Sequence, residues 1–363
     1  MWSPDSSRQT IAVVGAGFSG TALAHRLLQA DDWHGRVVLI ERSGRFGPGL
    51  AYGGFTHKAV LNVPAGNMSL DERRPTDFVD YVRSRDMDAQ PQDFLPRRLY
   101  GRYLKDRLDR VARTSAANDR LVRVTGVATS LSRRRGGGGL LVAIDDGRRI
   151  HADSVVLATG HSTPATLSAL SPLEGTSVYV RDPWSTLPSC RPQGRVLIVG
   201  TGLSMADVVC DLVERPGAPT KIIAVSRHGL LPGVRDSSSG DRSDPSFAPK
   251  PFATSTRLST LVAAARCAVR AAEARGGSWR EVMAALRMNT VQLWAGLPLA
   301  ERRRFLRHLQ PYWEVHRHLL PPQVGRTVQG ELRAGRLELR AARIVSAERW
   351  NHGARVTVRA RGQ

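Results

Sequence analysis

Three glycines near the start of the chain, Gly15, Gly17 and Gly20, have the spacing GxGxxG. A short apolar, β-branched run precedes them and apolar residues at helical spacing follow, so the order is strand, glycine turn, helix. In that order the first glycine permits a tight turn, the second lets a pyrophosphate approach the backbone, and the third lets the helix pack on the strand. The helix N-terminus, at Phe18 and Ser19, then offers free N–H groups to phosphates. The pattern predicts a dinucleotide site.

An acidic residue ends the next predicted strand. The segment RVVLIE finishes at Glu41, which lies 21 residues after Gly20 and is followed by Arg42. A carboxylate at this place accepts hydrogen bonds from the ribose hydroxyls of a dinucleotide. Because strand, helix, second strand and terminal acid agree, we expect these residues to bind the cofactor. The alternative is a glycine turn in some other kind of βαβ unit.

A second strand–glycine–helix pattern begins near residue 195. Gly200 and Gly202 follow an apolar strand and precede a helix that begins near Ser204, although a methionine takes the third glycine position. The next strand ends in Arg227, with His228 beside it, and not in an acid. An arginine there attracts a 2′-phosphate that a carboxylate would repel, so the pattern predicts NADPH in preference to NADH. The alternative is an exposed arginine, common in so basic a chain.

The strong positive charge does not by itself predict nucleic-acid binding. The chain has 53 Lys and Arg against 32 Asp and Glu, a net charge of +21. The basic residues are almost all arginine and are spread along the whole chain. Aromatic residues make up 6% of the sequence, too few for a platform on which bases stack. We expect anionic cofactors or substrates to use part of this charge.

Cysteine and histidine spacing favours neither disulfides nor a metal site. The three cysteines include no CxxC pair, and the histidines form no HxxxH set with a nearby acid. The first residues lack the apolar core of a signal peptide, and no run of about 18 apolar residues suggests a membrane span. We therefore expect a cytoplasmic protein without a membrane segment.

The length of 363 residues suggests two domains. Between the glycine turns, residues 154–161 read as another buried strand leading into a glycine turn, and residues 121–153 have the alternation of antiparallel strands. We expect an α/β fold in which a Rossmann-like domain with a small antiparallel β-meander is interrupted by a second Rossmann-like domain. A polar, Pro/Ser-rich stretch at 234–257 is predicted to be a loop or lid. The predicted domain boundaries are residues 1–165 for the first domain, 166–330 for the inserted domain with a helical segment at 256–310, and 331–363 for a return to the first domain.

With these patterns the chain resembles the flavoproteins that have two dinucleotide-binding domains, with FAD on the first and NAD(P)H on the inserted second. More closely, it is similar to the FAD/NAD(P)-binding family that includes bacterial urate hydroxylase and the aspartate N-monooxygenase that forms nitrosuccinate. The residues that carry the closer resemblance are VVGAGFSGTALA, GPGLAYG, HKAVLNVPAGNMS, FLPRRLYGRYL, VVLATGH, VLIVGTGLSMAD, SRHGLLP and WEVHRHLLPP, which span residues 11 to about 322.

The resemblance implies roles for a loop that is otherwise hard to explain. The stretch AVLNVPAGNMSL (59–70) is apolar, yet Pro64 and the glycine two residues later make it a poor helix and a poor central strand. The resemblance places residues 47–53 and 61–69 near the flavin ring, with Asn62 and Asn67 facing it. The alternative is a surface turn in which both amides bond local backbone. The further cofactor contacts implied are Val63, Pro64, Met68, Thr159 and Gly160 for FAD, and Gly200, Gly202, Ser204 and Arg227 for NADPH.

The activity implied by the resemblance is that of a monooxygenase. NADPH reduces the flavin, and the C4a-hydroperoxyflavin formed with O2 hydroxylates an amine or an electron-rich ring of a small molecule. Two alternatives remain: a flavin-dependent reductase or dehydrogenase that inserts no oxygen, and a non-catalytic dinucleotide-binding protein. The family continues beyond the equivalent of residue 363 with another strand and a second TG turn, so the resemblance implies a truncated chain.

Overall fold

The computed structural model describes residues 8–54, 59–114, 119–134, 138–186, 194–235 and 256–362. The chain divides into two compact units. The first comprises Met1–Leu167 and Glu174–Cys190, and the second comprises Ser168–Leu173 and Arg191–Gln363.

The strands are numbered in chain order. They are β1 (Thr10–Val14), β2 (Arg36–Glu41), β3 (Leu121–Thr125), β4 (Ala128–Arg133), β5 (Leu140–Ile144), β6 (Arg149–Ala152), β7 (Ser154–Leu157), β8 (Arg195–Val199), β9 (Lys221–Ser226), β10 (Leu337–Trp350) and β11 (Gly353–Ala360).

The helices are numbered in the same way. They are α1 (Phe18–Gln29), α2 (Asp77–Arg83), α3 (Arg97–Ala112), α4 (Pro183–Thr186), α5 (Leu203–Val213), α6 (Leu258–Ala274), α7 (Trp279–Met288), α8 (Thr290–Gly296), α9 (Leu299–His308), α10 (Gln310–Arg317) and α11 (Pro322–Arg333), with 3-10 turns at Ala65–Asn67 and Ser168–Leu173.

The first unit is built on a parallel sheet with the strand order β3-β2-β1-β7. Its strands are apolar almost without interruption, because parallel strands are covered on both faces. On one face Ala24 and Leu28 of α1 pack against the buried Val13 and Leu39. On the other face Val38 packs against apolar residues of β5 and β6. The helix that follows the first glycine turn is thus fixed against the sheet.

Strands β4, β5 and β6 form the predicted antiparallel meander. The sequence pattern also assigned residues 121–125 to these antiparallel strands, and that part is wrong, because β3 pairs in parallel with β2. Its alternating apolar residues suit either sheet, so alternation identifies a strand but not its partner. Residues 135–137, which lie between β4 and β5 in the sequence, are outside the described residues.

The second unit contains a four-stranded sheet in the order β11-β10-β9-β8. Strands β8, β9 and β10 are parallel, and β11 is antiparallel to β10. The predicted return of residues 331–363 to the first domain is therefore wrong. The physical reason is burial along the edge of β9, where Leu337 pairs with Ile222 and the two are 2% and 1% exposed.

The predicted helical segment at 256–310 consists of α6 to α9 and the first residue of α10. Helix α7 begins with a capping box, in which Ser278 accepts a hydrogen bond from the Arg280 N–H and the Glu281 carboxylate accepts one from the Ser278 N–H. Most of the predicted loop at 234–257 falls at 236–255, outside the described residues. In the described part of the chain, no helix has the length and apolar character to cross a membrane.

A buried carboxylate joins α2 and α3 to the loop that precedes them. Asp77, which is 3% exposed, accepts hydrogen bonds from Arg107 Nε (2.7 Å) and Nη2 (3.1 Å). It also accepts one from the Tyr103 hydroxyl (2.9 Å), which in turn accepts the Leu70 N–H (2.9 Å). Burial raises the pKa of Asp77, but the bonds from Arg107 and Tyr103 outweigh it and the pKa lies below its usual value. The network fixes the end of the 59–70 loop on α3.

We expect Asp77→Asn to lower the free energy of unfolding by about 2–4 kcal/mol at pH 7, because it leaves a part-buried guanidinium without its carboxylate. Because the pKa of Asp77 lies below the ordinary 3.8, its contribution is present above that pH and is lost as the pH falls through the lowered pKa. Urea denaturation at neutral and acidic pH measures both effects.

Asp146→Asn is the matched control, since Asp146 pairs with Arg148 on the surface. This substitution should leave the unfolding midpoint unchanged. An Asp77→Asn protein as stable as wild type, or a difference in stability that does not shrink as the pH is lowered, would contradict the role given to this network.

Candidate functional site

The first candidate site lies at the carboxyl ends of β1, β2 and β7. The Gly15 N–H donates to the Ile40 carbonyl (2.8 Å), which ties the end of β1 to the end of β2. Gly15 has φ +102°, and a Cβ on it would lie 2.2 Å from the Ala158 carbonyl oxygen after β7. Only glycine fits, because both the left-handed backbone and the close strand exclude a side chain.

The other two glycines of the first glycine turn (residues 15–20) differ from each other. A Cβ on Gly20 would lie 1.9 Å from the Gly15 carbonyl oxygen, so Gly20 is needed for the helix to pack on the turn. A Cβ on Gly17 would meet only the Gly49 Cα, at an ordinary 3.5 Å. The fold itself therefore does not require glycine at position 17, where the fingerprint brings a pyrophosphate to the backbone.

The N-terminus of α1 is open to solvent. Gly17 is the N-cap, with extended backbone and no side-chain cap hydrogen bond, and the first turn carries no acidic residue. Phe18 and Ser19 are exposed. The N–H groups of the first turn and the positive end of the helix dipole together favour a negative charge. The predicted phosphate site thus has the open N–H groups that it requires.

Glu41 is bonded directly to the first glycine turn. Its Oε2 accepts the Ala16 N–H (3.0 Å), and its Oε1 accepts the Ser43 N–H (3.0 Å) and hydroxyl (2.8 Å). Burial raises the pKa of Glu41, but the Ser43 and Ala16 bonds, with the nearby exposed Arg42, lower it overall. The residue is therefore ionised at neutral pH, and a carboxylate retains acceptor capacity beyond three bonds. Sequence analysis missed Ser43, whose only signal is its place two residues after the acid.

The segment at residues 47–53 lies against the first glycine turn. The Gly47 N–H donates to the Ala16 carbonyl (2.9 Å), and a Cβ on Gly49 would come within 2.7 Å of the Gly17 Cα. On its other side, a Cβ on Gly101 of α3 would lie 2.4 Å from the Tyr52 carbonyl oxygen. The glycines of GPGLAYG therefore serve close backbone packing here. Their proposed nearness to a flavin ring remains a prediction.

The asparagine loop (residues 61–68) is held by backbone bonds to residues 91–97. The Leu61, Ala65 and Gly66 N–H groups donate to carbonyls of that segment at 2.7–2.9 Å. A Cβ on Gly66 would lie 2.9 Å from the Pro91 Cβ. The resemblance places Gly66 near a flavin ring, whereas the structure gives close packing on Pro91 as a sufficient reason for a glycine at this position.

The two asparagines of this loop differ in exposure. Asn62 is half-buried and Asn67 is exposed. Among the described residues neither side-chain amide has a hydrogen-bond partner, so the alternative in which both amides bond local backbone does not describe this loop. The three apolar residues predicted to contact FAD are half-buried, and Met68 packs against the core. These three are Val63, Pro64 and Met68.

Thr159 and Gly160 lie exposed just beyond β7. The Thr159 Cα would be 3.3 Å from a Cβ on Gly15, and Gly160 has φ +69°. The structure therefore brings Gly15, Glu41 and Thr159 to one edge of the sheet. The asparagine loop belongs to the same unit, but the bonds that place it are to residues 91–97 and not to this edge.

The second candidate site repeats the first at the carboxyl end of β8. The Gly200 N–H donates to the Val225 carbonyl (2.8 Å), and Gly200 has φ +108°. Gly202 is the N-cap of α5 and has no side-chain cap bond. Ser204 and Arg227 are exposed, the latter directly after β9. The described residues of both sites contain no cluster of three or more His, Cys, Asp or Glu suited to a metal.

The imperfect third position of the second fingerprint also has a structural explanation. Met205 is 3% exposed, so its side chain points into the core and leaves the N-terminus of α5 open. Thr201, which sequence analysis missed, bonds the Ser226 hydroxyl (2.9 Å) and donates to the Leu230 carbonyl (2.6 Å). These bonds fix the second glycine turn (residues 200–205) beside the end of β9.

Comparisons with known proteins agree with this geometry. Residues 12–162 match the family model described as FAD-NAD(P)-binding. A search of curated proteins gives no match. An ornithine hydroxylase from Pseudomonas aeruginosa is similar in structure, with 17% identity and a TM-score of 0.60 over 97% of this chain and 78% of that one. An FAD-bound cadaverine monooxygenase from Erwinia amylovora has 12% identity and a TM-score of 0.59, over 96% of this chain and 72% of that one. An L-lysine 6-monooxygenase from Pseudomonas syringae has 17% identity and a TM-score of 0.58, over 95% of this chain and 75% of that one.

Residues 12–162 thus match the FAD-NAD(P)-binding family model, and the chain shares the overall fold of these solved structures. The predicted α/β fold class and the resemblance to two-domain flavoproteins are confirmed at the level of fold. The closer kinship with urate hydroxylase and aspartate N-monooxygenase stays a prediction, as do the individual cofactor contacts.

Two glycine substitutions separate packing from ligand binding. We expect Gly20→Ala to destabilise the protein by about 1–3 kcal/mol, since the added Cβ overlaps the Gly15 carbonyl. Gly17→Ala should leave the stability of the cofactor-free protein within about 0.5 kcal/mol, because its Cβ fits. Denaturant unfolding of both variants without cofactor tests this. Equal losses in the two variants would contradict the distinction.

Proposed function

We propose that the protein is an FAD- and NADPH-dependent flavoprotein monooxygenase that acts on a small molecule with O2. The observation that carries the proposal is the repeated site. In each unit the first of a set of parallel strands ends in a glycine turn, which is followed by a helix with an uncapped N-terminus. Similar structures solved for ornithine, cadaverine and lysine monooxygenases support the reaction class.

In this proposal the first unit holds FAD. The α1 amides after Gly17 bind the pyrophosphate, Glu41 accepts ribose hydroxyls, and Thr159 and Gly160 line the same edge. The fit of a pyrophosphate is supported by the space next to Gly17. A Cβ there would come no closer than 3.5 Å to the nearest protein atom, the Gly49 Cα. When bound, the two cofactors supply hydride transfer and oxygen activation. The protein supplies position and, around the reacting atoms, exclusion of water.

The second unit holds NADPH in this proposal. Gly200, Gly202 and Ser204 line the pyrophosphate site at the N-terminus of α5, and Arg227 faces the 2′-phosphate. Arg227 is exposed and forms no hydrogen bond or ion pair with any described residue. A guanidinium in that state has all five donors available, and bidentate binding of phosphate is the use for which arginine is best shaped.

We further propose that the asparagine loop faces the flavin and substrate. Asn62 and Asn67 carry amides that are not used within the described protein, so each has two donors and an acceptor for a ligand. A primary amine is the proposed substrate class, because the similar solved structures are named for ornithine, cadaverine and lysine as substrates. An electron-rich ring is the other class that the sequence resemblance implies.

The cofactor proposal predicts a spectroscopic result. Protein purified with added FAD and then desalted should be yellow, and anaerobic NADPH should bleach it. Gly17→Ala should weaken FAD binding by about tenfold or more, because its methyl group occupies the place of the pyrophosphate. Visible absorbance and FAD titration monitored by fluorescence measure these effects.

Several outcomes count against the proposal. A colourless protein that binds neither FAD nor NADPH would favour a non-catalytic protein. FAD reduction followed by release of peroxide alone, with every amine tested unchanged, would favour a reductase. If Gly17→Ala binds FAD as tightly as wild type, the first glycine turn is not part of the FAD site.

Arg227→Ala tests coenzyme choice. We expect the Kd for NADPH to rise about tenfold, since a charge-assisted phosphate contact is lost, while the Kd for NADH stays the same. Titration of the oxidised protein with each nucleotide measures both constants. An equal effect on NADPH and NADH would remove the 2′-phosphate role from Arg227.

A further inference from the structure

The turn that follows β11 is brought to the same sheet edge as Arg227. In the sheet register, Ser226 at the end of β9 pairs with Ala341 of β10, and the next residue of β10 pairs with Ala360 of β11. Adjacent strands lie about 4.8 Å apart, so the residue after β11 comes within about 10 Å of the end of β9. That residue is Arg361, whose N–H donates to the Ala341 carbonyl (2.9 Å).

The Arg361 side chain bridges this gap. Its Nη1 lies 3.1 Å from Nδ1 of His228, the residue after Arg227. Because a guanidinium only donates, Nδ1 accepts this bond and the proton of the neutral imidazole is on Nε2. The turn after β9 lies close to β10 at Gly229, where a Cβ would lie 3.0 Å from the Ala341 backbone nitrogen. His228 is therefore oriented with its Nε2–H as a remaining donor.

Among the described residues, the charged groups that act on His228 are Arg361 and Arg227, and neither of them is an acid. The pKa of His228 is lowered by partial burial and then by the charges of Arg361 and Arg227. The ring of Tyr312 on α10 also lies near the imidazole, with 6.2 Å between the ring centroids. Among the described residues neither arginine forms a salt bridge. Mutual repulsion disfavours this arrangement until an anion is present.

We propose that Arg361 is a specificity-determining residue that, with His228 and Arg227, binds the 2′-phosphate of NADPH. The inference rests on the proposed function of the second unit and extends it to a strand far from the glycine turn in sequence. A phosphate dianion offers acceptors to two guanidinium groups and to the His228 Nε2–H together. NADH has only a hydroxyl at this place and cannot use the group.

The test compares two probes that differ only in the 2′-phosphate, adenosine 2′,5′-bisphosphate and 5′-AMP, by calorimetry on the full chain. Arg361→Gln should weaken binding of the bisphosphate about tenfold and leave 5′-AMP unchanged. Arg359→Gln is the control, since Arg359 is an exposed arginine of β11, two residues before Arg361, and its loss changes the net charge by the same amount. It should leave both affinities unchanged.

A second measurement uses the wild-type protein alone. NMR titration of the His228 ring should show that its pKa rises when the bisphosphate is bound, because the phosphate dianion stabilises the imidazolium. Its pKa should not change when 5′-AMP is bound. A wild-type protein that binds both probes equally would overturn the NADPH assignment itself. A wild-type preference for the bisphosphate that persists in Arg361→Gln, or a His228 pKa that does not respond, would overturn the role of Arg361 and leave the NADPH assignment standing.

Discussion

The structure depends on a turn that the backbone can make only without a side chain. At Gly15 the chain leaves β1, and the Gly15 N–H donates to the Ile40 carbonyl. A Cβ on Gly15 would lie 2.2 Å from the Ala158 carbonyl oxygen. The bond ties the end of β1 to the end of β2, and the close approach to Ala158 places the end of β7 beside them. It also aims α1 so that its first N–H groups face outward. The proposed cofactor site of the first unit depends on this turn, because Glu41 accepts the Ala16 N–H within it and Thr159 lies beside Gly15.

The second unit repeats the backbone solution with different chemistry. Gly200 makes the same bond at the same 2.8 Å, to Val225, with nearly the same φ. What differs is the charged residue at the carboxyl end of the adjacent strand. The first unit has an ionised carboxylate bonded into the turn, which suits ribose hydroxyls, and the second has Arg227 in the open, which suits a phosphate. In the proposed function, one backbone geometry serves two cofactors, with a carboxylate beside the first site and an arginine beside the second.

The sequence predicted the strand–turn–helix elements well because their signals are local. The ends of β2 at Glu41 and of β8 at Val199 follow from apolar runs that stop at polar or glycine residues. Partners of strands were harder, since alternation in β3 and β10 does not say which edge they join, and both were assigned to the wrong sheet. Gly66 shows the same limit within a loop. A glycine indicates close approach, but only the fold identifies Pro91 as the group approached.

The central claim is that the N–H groups at the start of α1 hold a dinucleotide pyrophosphate. Amide hydrogen exchange on the isolated protein, with and without FAD, tests it most directly. The account predicts that FAD slows exchange at residues 17–20 and at the Glu41–Ser43 turn, with little change around the meander strands β4 to β6. FAD binding that leaves residues 17–20 exchanging at the unbound rate would contradict the account.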